Sequence, residues 1–312
     1  MSDLIFSLNI VLPLIIFMVL GFLLKKTKSV DEHFLSVSND MVGKYLLPVL
    51  LFNSIYKSNL GEFFDLKLLL FVLFTIFTII IAYVIFLPMF VKDRKKIGAI
   101  IQATFRANYL LFGLPVTVSV VGPQGAAIVA FVACIVVPTY NFLAVVILSF
   151  YGGEKPKIGK VLISVIQNPL IIASLVGILF AVFKIGFPAP VAKVISDISA
   201  MTTTFALIVL GGSFKVEHFG VNKVYIFWTI LMKFIVLPAI FLGLGYLIGL
   251  RGAQLIVIVT LLCSPTAITS YTMARQFNND YELAAQLLVF STLLTSGSFF
   301  IFLFILRFTK LI

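Results

Sequence analysis

The chain has 312 residues, of which 61% are hydrophobic and 11% are charged, and its formal net charge is +11. Soluble domains carry about a quarter charged residues, so this composition excludes a water-soluble domain and requires lipid as the solvent for most of the chain. The positive charge does not indicate nucleic acid, because Lys and Arg residues form short runs between apolar segments, as in membrane proteins with basic cytoplasmic loops.

The apolar segments predict an all-α integral membrane protein, because a bilayer crossing takes roughly 20 apolar residues. The ten predicted transmembrane helices are Asp3–Leu24, Ser38–Ile55, Lys67–Val91, Ile97–Val121, Gln124–Phe150, Lys160–Phe183, Asp197–Phe214, Asn222–Leu250, Gly252–Arg275 and Tyr281–Phe308. More of the basic residues lie in the loops that contain Lys25, Lys92 and Lys155, so these loops are predicted to face the cytoplasm and both termini to face outward.

A faint internal repeat links the two halves of the chain. Pro13 and Gly21 in helix one are matched by Pro169 and Gly177 in helix six, both at an offset of 177 − 21 = 156. The sequence therefore predicts two five-helix halves, residues 1–151 and 161–312, joined by a short cytoplasmic loop at 152–160. An odd number of helices in each half forces opposite orientations in the membrane, which is an architecture of transporters.

Helices four and nine contain the strongest functional signal. Each is the fourth helix of its half, and each is interrupted by a proline, Pro115 or Pro265. Proline removes a backbone donor, and in lipid such a break survives where protein, water or ligand satisfies the freed groups. The pattern predicts that the two helices cross near mid-membrane and that their half-helix N-termini bind an anion. Two harmless kinks are the alternative.

Two cationic residues, Arg106 in helix four and Lys233 in helix eight, lie within apolar helices. Each either faces an aqueous cavity and attracts anions or extends its charge to the cytoplasmic interface. Neither has an acidic partner nearby in sequence, which favours an anion over a cation as the transported species.

Polar side chains in the apolar helices either bind substrate or form interhelical hydrogen bonds worth about 0.6 kcal/mol each. An amide offers both donors and acceptors to a carboxylate. With the residues of the two breaks, the candidate substrate-binding residues are Asn53, Ser54, Arg106, Asn108, Gly113, Pro115, Asn141, Pro265, Thr266 and Thr269.

No metal site, cofactor site or catalytic cluster is evident, so no enzymatic activity is expected. Cys134 and Cys263 both fall inside apolar segments, where buried thiols are expected rather than a disulfide. His33 and His218 lie in loops far apart in sequence, and no His, Cys and Glu grouping resembles a metal centre.

The segment Asn108–Pro115 resembles the Asn-x-Leu-x-x-Gly-[Ile/Leu]-Pro motif of the auxin efflux carrier family, and the likeness continues through Pro265, Ala274–Asn278 and Gly211-Gly212. The resemblance implies ten helices in two inverted halves, a crossover of helices four and nine with a substrate site beside it, and a scaffold bundle that forms a homodimer. It also implies substrate-site roles for Asn53, Asn108, Pro115 and Pro265, and for Asn141 as in bacterial relatives.

The expected function is export of a small organic anion, such as a carboxylate, across the cell membrane by alternating access, with the lipid bilayer and the substrate as partners. A sodium- or proton-coupled uptake symporter of the bile-acid type is the alternative. The shortage of acidic residues in the helix interiors counts against that alternative.

Overall fold

A computed structural model describes residues 2–57, 65–122, 125–153, 167, 169–213 and 222–312. Most of the predicted connecting loop, at 154–160, and the predicted start of helix six, at 160–166 and 168, lie outside the described residues.

The described chain is helical, and its helices follow the order of the predicted segments. They are α1 (Ser2–Lys26), α2 (Glu32–Met41), α3 (Leu47–Tyr56), α4 (Leu66–Phe90), α5 (Arg94–Phe105), α6 (Tyr109–Val121), α7 (Gly125–Gly152), α8 (Pro169–Val182), α9 (Ala189–Gly212), α10 (Lys223–Leu231), α11 (Leu237–Leu247), α12 (Ala253–Cys263), α13 (Thr269–Gln276) and α14 (Tyr281–Phe308). The second and seventh helical segments begin earlier than predicted, at Glu32 rather than Ser38 and at Ala189 rather than Asp197.

Six helical segments in the described part of the chain are long and apolar enough to cross a bilayer. These are Leu4–Lys26, Leu66–Phe90, Gly125–Gly152, Ala189–Gly212, Lys223–Leu247 and Tyr281–Phe308. Shorter apolar helices accompany them, at Tyr109–Val121, Pro169–Val182 and Ala253–Cys263. The chain is therefore a multi-pass membrane protein.

Acidic residues cap the starts of several helices. The carboxylates of Asp31, Asp65, Asp93 and Asp280 each accept a hydrogen bond from a backbone N–H in the first turn that follows, at 2.7–2.9 Å. An aspartate at this position satisfies an N–H group that has no partner within the helix. Much of the small acidic content is thus used at helix ends rather than within the apolar spans.

Two helical segments contain a wider π turn, and each π turn precedes a proline. Residues Val42–Leu46 join α2 to α3 ahead of Pro48, and Met232–Val236 join α10 to α11 ahead of Pro238. A proline has no N–H to donate to the carbonyl four residues earlier, so the backbone hydrogen bonds just before it join residues that are five apart. The carbonyl of Phe234 loses its donor in this way, and the hydroxyl of Ser298 donates to it at 2.8 Å.

Glycines lie at close contacts between two pairs of helices. A Cβ on Gly21 of α1 would lie 1.8 Å from the carbonyl oxygen of Ile208 in α9, and one on Gly177 of α8 would lie 3.2 Å from that of Phe52 in α3. The helices α1 and α9 therefore pack backbone to backbone, and α8 packs closely on α3. Elsewhere α5 packs against α4, α7 and α14, and α12 packs against α6, α11 and α14.

Candidate substrate site

The interruptions in the fourth and ninth spans meet each other. Between α5 and α6 the chain is non-helical at Arg106–Asn108, and between α12 and α13 it is non-helical at Ser264–Ile268. The backbone N–H of Asn108 donates to the carbonyl of Pro265 at 2.7 Å, and the N–H of Ala267 donates to that of Arg106 at 3.0 Å. These bonds form a short antiparallel bridge between Ala107 and Thr266. Each break thus supplies hydrogen-bond partners for the other, as a lipid-embedded break requires.

The carbonyls at the end of α5 accept hydrogen bonds from two other parts of the chain. In a continuous helix they would accept from Ala107 and Asn108, which bond elsewhere. Instead the hydroxyl of Thr266 donates to the carbonyl of Ala103 at 2.8 Å, and the ammonium of Lys233 donates to that of Thr104 at 2.9 Å. Side chains therefore satisfy the carbonyls at the broken end of α5.

Helix α14 holds the other break in place. The hydroxyl of Thr295 donates to the carbonyl of Cys263, the last residue of α12, at 2.5 Å. The hydroxyl of Ser291 accepts from the backbone N–H of Thr266 at 3.0 Å. The side chains of all four residues are buried, so these bonds hold the break away from solvent.

The predicted position of the break in span four was wrong. Pro115 lies inside α6, six residues after its start, and the helix continues through it. The interruption falls at Arg106–Asn108, where no proline occurs, because the backbone there pairs with the second break instead of with its own helix. In span nine the break does contain the predicted proline, Pro265.

The two helices that begin at the crossing, α6 and α13, direct their N-termini toward it. A helix N-terminus carries about half a positive charge and N–H groups without intrahelical partners. The amide side chain of Asn108 stands at the start of α6, is half-buried, and makes no capping bond there. Thr269 opens α13 and is exposed. Polar donors therefore gather where the two helices start.

The guanidinium of Arg106 is buried at the same crossing. It donates to the amide oxygen of Asn141 in α7 at 2.6 Å and contacts the sulfur of Met273 in α13 at 2.9 Å. Both partners are neutral. Among the described residues, Arg106 and Lys233 are the buried charged side chains, and no buried carboxylate accompanies them. A buried guanidinium with only neutral partners is costly, so the surroundings of Arg106 favour an added anion.

Comparison with known proteins gives this crossing its context. A sequence profile for a family described as "Membrane transport protein" matches residues 6–158 and 154–303. The chain belongs to this family, the auxin efflux carrier family. The transporter is 26% identical over 300 residues to an uncharacterised transporter of Methanocaldococcus jannaschii, covering 91% of this chain and 94% of the relative. It is 23% identical over 292 residues to an uncharacterised transporter of Methanothermobacter thermautotrophicus, covering 93% and 95%.

Several of the transporter's predicted site residues have structural contacts at the crossing. Thr266 uses both its N–H and its hydroxyl within the fold. The carbonyl of Pro265 accepts from Asn108. Gly113 lies on α6 facing α12, where a Cβ would reach van der Waals contact with Thr260 at 3.4 Å and would crowd the ring of Tyr109 on its own helix at 3.2 Å. These residues shape the crossing, and their polar groups are already engaged.

Asn53 and Ser54 lie on α3, which packs on α7. The hydroxyl of Ser54 donates to the carbonyl of Leu50 at 2.8 Å, within its own helix. The amide oxygen of Asn53 is buried and lacks a hydrogen-bond partner among the described residues. No described hydrogen bond joins either residue to the crossing, whereas Arg106, Asn108 and Asn141 are brought together there.

Sequence reasoning missed the residues that satisfy the broken backbone. Ser291 and Thr295 are ordinary hydroxyls on an apolar helix, and nothing in their spacing singles them out. Lys233 was noticed in the sequence as a cation inside an apolar helix, a rare and commonly functional position, but it was not included among the candidate substrate-binding residues.

Proposed function

We propose that this transporter carries a small organic anion, such as a carboxylate, out of the cell by alternating access, with its binding site at the crossing of spans four and nine. The observation that carries the proposal is the paired break itself. It gathers two helix N-termini, the amide of Asn108 and the buried guanidinium of Arg106, without a described carboxylate to neutralise them.

The chemistry of these groups suits a carboxylate. Each helix N-terminus contributes about half a positive charge, and hydrogen bonds from ionised groups are worth roughly 1.5–3 kcal/mol. The amide of Asn108 can donate to an anionic oxygen while the Asn141 amide holds the guanidinium of Arg106 in position. A cation would instead meet repulsion from Arg106.

Internal symmetry supports the ten-helix inverted repeat on which alternating access would rest. The glycines matched in sequence, Gly21 and Gly177, both lie at close helix contacts, of α1 with α9 and of α8 with α3. If the halves at 1–151 and 161–312 are equivalent, span one corresponds to span six and span seven corresponds to span two. The contact of spans one and seven then corresponds to the contact of spans six and two. In such transporters one bundle moves against the other around a fixed central site.

The proposed direction follows from charge. The N-terminus of α5 lies beside the connection between α13 and α14, where the ammonium of Lys95 donates to Asn278 at 2.9 Å. We assign this basic end to the cytoplasm, with both chain termini outside. A cell interior at negative potential then drives an anion outward by about 2.3 kcal/mol per charge per 100 mV.

The first experiment is a thermal-shift screen of mono- and dicarboxylates on the purified transporter, repeated with Asn108→Ala. The variant Asn9→Ala makes the same chemical change on an exposed face of α1. We expect at least one acid to raise the midpoint of wild type and Asn9→Ala but to lose most of that effect in Asn108→Ala. Equal stabilisation of all three proteins would remove Asn108 from the site.

Transport is then measured in liposomes loaded with the stabilising acid. An outside-positive potassium diffusion potential is expected to accelerate efflux, with or without sodium. Uptake that follows an inward sodium or proton gradient and ignores the potential would replace export with symport. The homodimer stays a prediction, and the mass of the solubilised particle tests it.

A further inference from the structure

The side chain of Lys233 reaches from span eight into the crossing. It lies in the π turn between α10 and α11 and is 2% exposed. Its ammonium donates to the carbonyl of Thr104 at 2.9 Å, and the π turn that carries Lys233 also packs on α12. Thr104 belongs to the last turn of α5, so the ammonium lies at the C-terminal end of that half-helix.

Such helix ends attract cations. A helix C-terminus carries about half a negative charge and carbonyls without intrahelical donors. In transporters with broken helices, the C-terminal ends and unwound carbonyls coordinate the coupling sodium ion or proton, while the N-terminal ends face an anionic substrate. The crossing in this protein has both kinds of end, and Lys233 stands at the kind that takes a cation.

We propose that Lys233 is a tethered cation that occupies the place of a soluble coupling ion at the C-terminal end of α5. Its covalent tether keeps the ammonium group at that position. The crossing is then complete without sodium, and anion binding at the opposite half-helix ends does not depend on a second ion.

The charge of Lys233 is more than the broken backbone requires. The neighbouring orphan carbonyls of Ala103 and Cys263 are satisfied by the neutral hydroxyls of Thr266 and Thr295. A neutral donor costs far less to bury than an ammonium, which is expensive to remove from water unless it meets negative charge. The negative end of α5 supplies that compensation at Lys233.

The first test compares sodium with choline at equal ionic strength on the wild-type protein, with no substrate present. We expect the same unfolding midpoint in both salts, because the site is filled by the tether. A higher midpoint in sodium chloride would show that a sodium ion binds the folded protein and would overturn the proposal.

The second test empties the site. Lys233→Ala removes the ammonium and leaves space, whereas Lys233→Met fills much of that space without charge. We expect sodium or methylammonium to raise the midpoint of Lys233→Ala by roughly 2–4 °C relative to choline. We expect no such rise for Lys233→Met or for Lys44→Ala, which removes an exposed lysine.

Equal midpoints of Lys233→Ala in sodium, methylammonium and choline would overturn the proposal. If Lys233→Ala does not fold, the wild-type comparison still decides the outcome. The inference rests on the proposed function in treating the crossing as the transport site. Both readouts are unfolding midpoints measured without substrate. The proposal for Lys233 can therefore fail while the anion site is confirmed, and the anion site can fail while the proposal for Lys233 is confirmed.

Discussion

Replacing Thr266 with valine tests whether the two breaks are held by mutual hydrogen bonding. Valine has nearly the same shape but lacks the hydroxyl that donates to the carbonyl of Ala103 at 2.8 Å. Thr266 is 1% exposed, so water cannot replace the lost donor without opening the crossing. An unsatisfied buried carbonyl costs about 1–3 kcal/mol, which corresponds to a fall in unfolding midpoint of roughly 2–12 °C at about 2–4 °C per kcal/mol.

The assay is thermal unfolding of the purified protein in one detergent, followed by intrinsic fluorescence. Thr269→Val is the matched control, because it makes the same substitution three residues later at an exposed position. We expect Thr269→Val to unfold within about 1 °C of wild type, since exposed substitutions usually stay within ±0.5 kcal/mol. A Thr266→Val protein as stable as the control would refute the reasoning that side chains satisfy the broken end of α5.

Three further substitutions test the packing, the charge and the position of the break. Gly211→Val should destabilise the protein by about 2 kcal/mol or more in thermal unfolding, because even a Cβ would lie 1.9 Å from a backbone carbonyl of α1. The control Gly243→Ala, in open space on a helix, should instead stabilise the protein by roughly 0.5–1 kcal/mol. Arg106→Gln should weaken carboxylate binding about 10- to 100-fold in a titration, which corresponds to the loss of one charge-assisted hydrogen bond. Arg106→Lys should keep part of the affinity. Equal affinities in wild type and both variants would contradict an anion-attracting role for Arg106. Pro115→Ala should leave the anion-induced midpoint shift unchanged, because Pro115 lies inside α6 rather than at the break; loss of the shift would return that residue to the site.

The membrane class of this protein is readable from composition because it depends on sums over the chain. Long apolar helices such as α4 and α14 follow directly from the scarcity of charged residues within them. The helix starts are less evident from composition. Helix α9 begins at Ala189, just after Pro188, but its first turns are less apolar than its later ones.

The break in span four shows where local reasoning stops. Proline is the usual local cause of an interruption, so Pro115 was the natural choice. The chain breaks at Arg106–Asn108 instead, because Asn108 and Arg106 pair with Pro265 and Ala267, which lie more than 150 residues away. A break maintained by tertiary hydrogen bonds leaves no local signature in sequence.

The candidate site was predictable in part for the same reason. Arg106, Asn108 and Asn141 drew notice as polar residues in apolar helices, and the fold brings them together. Asn53 and Ser54 drew the same notice, yet they lie on α3 with no described hydrogen bond to the crossing. Polarity identifies candidates, whereas the packing of spans four, five and nine determines which of them share a site.

The most direct test of the central claim is an experimental structure of the transporter with the carboxylate that stabilises it most. The account predicts density for the acid at the N-termini of α6 and α13, within hydrogen-bond reach of Asn108 or Arg106. It also predicts that the backbones at Ala107 and Thr266 remain paired. Continuous helices through residues 106–108 and 264–268, or an acid bound away from both breaks, would contradict it.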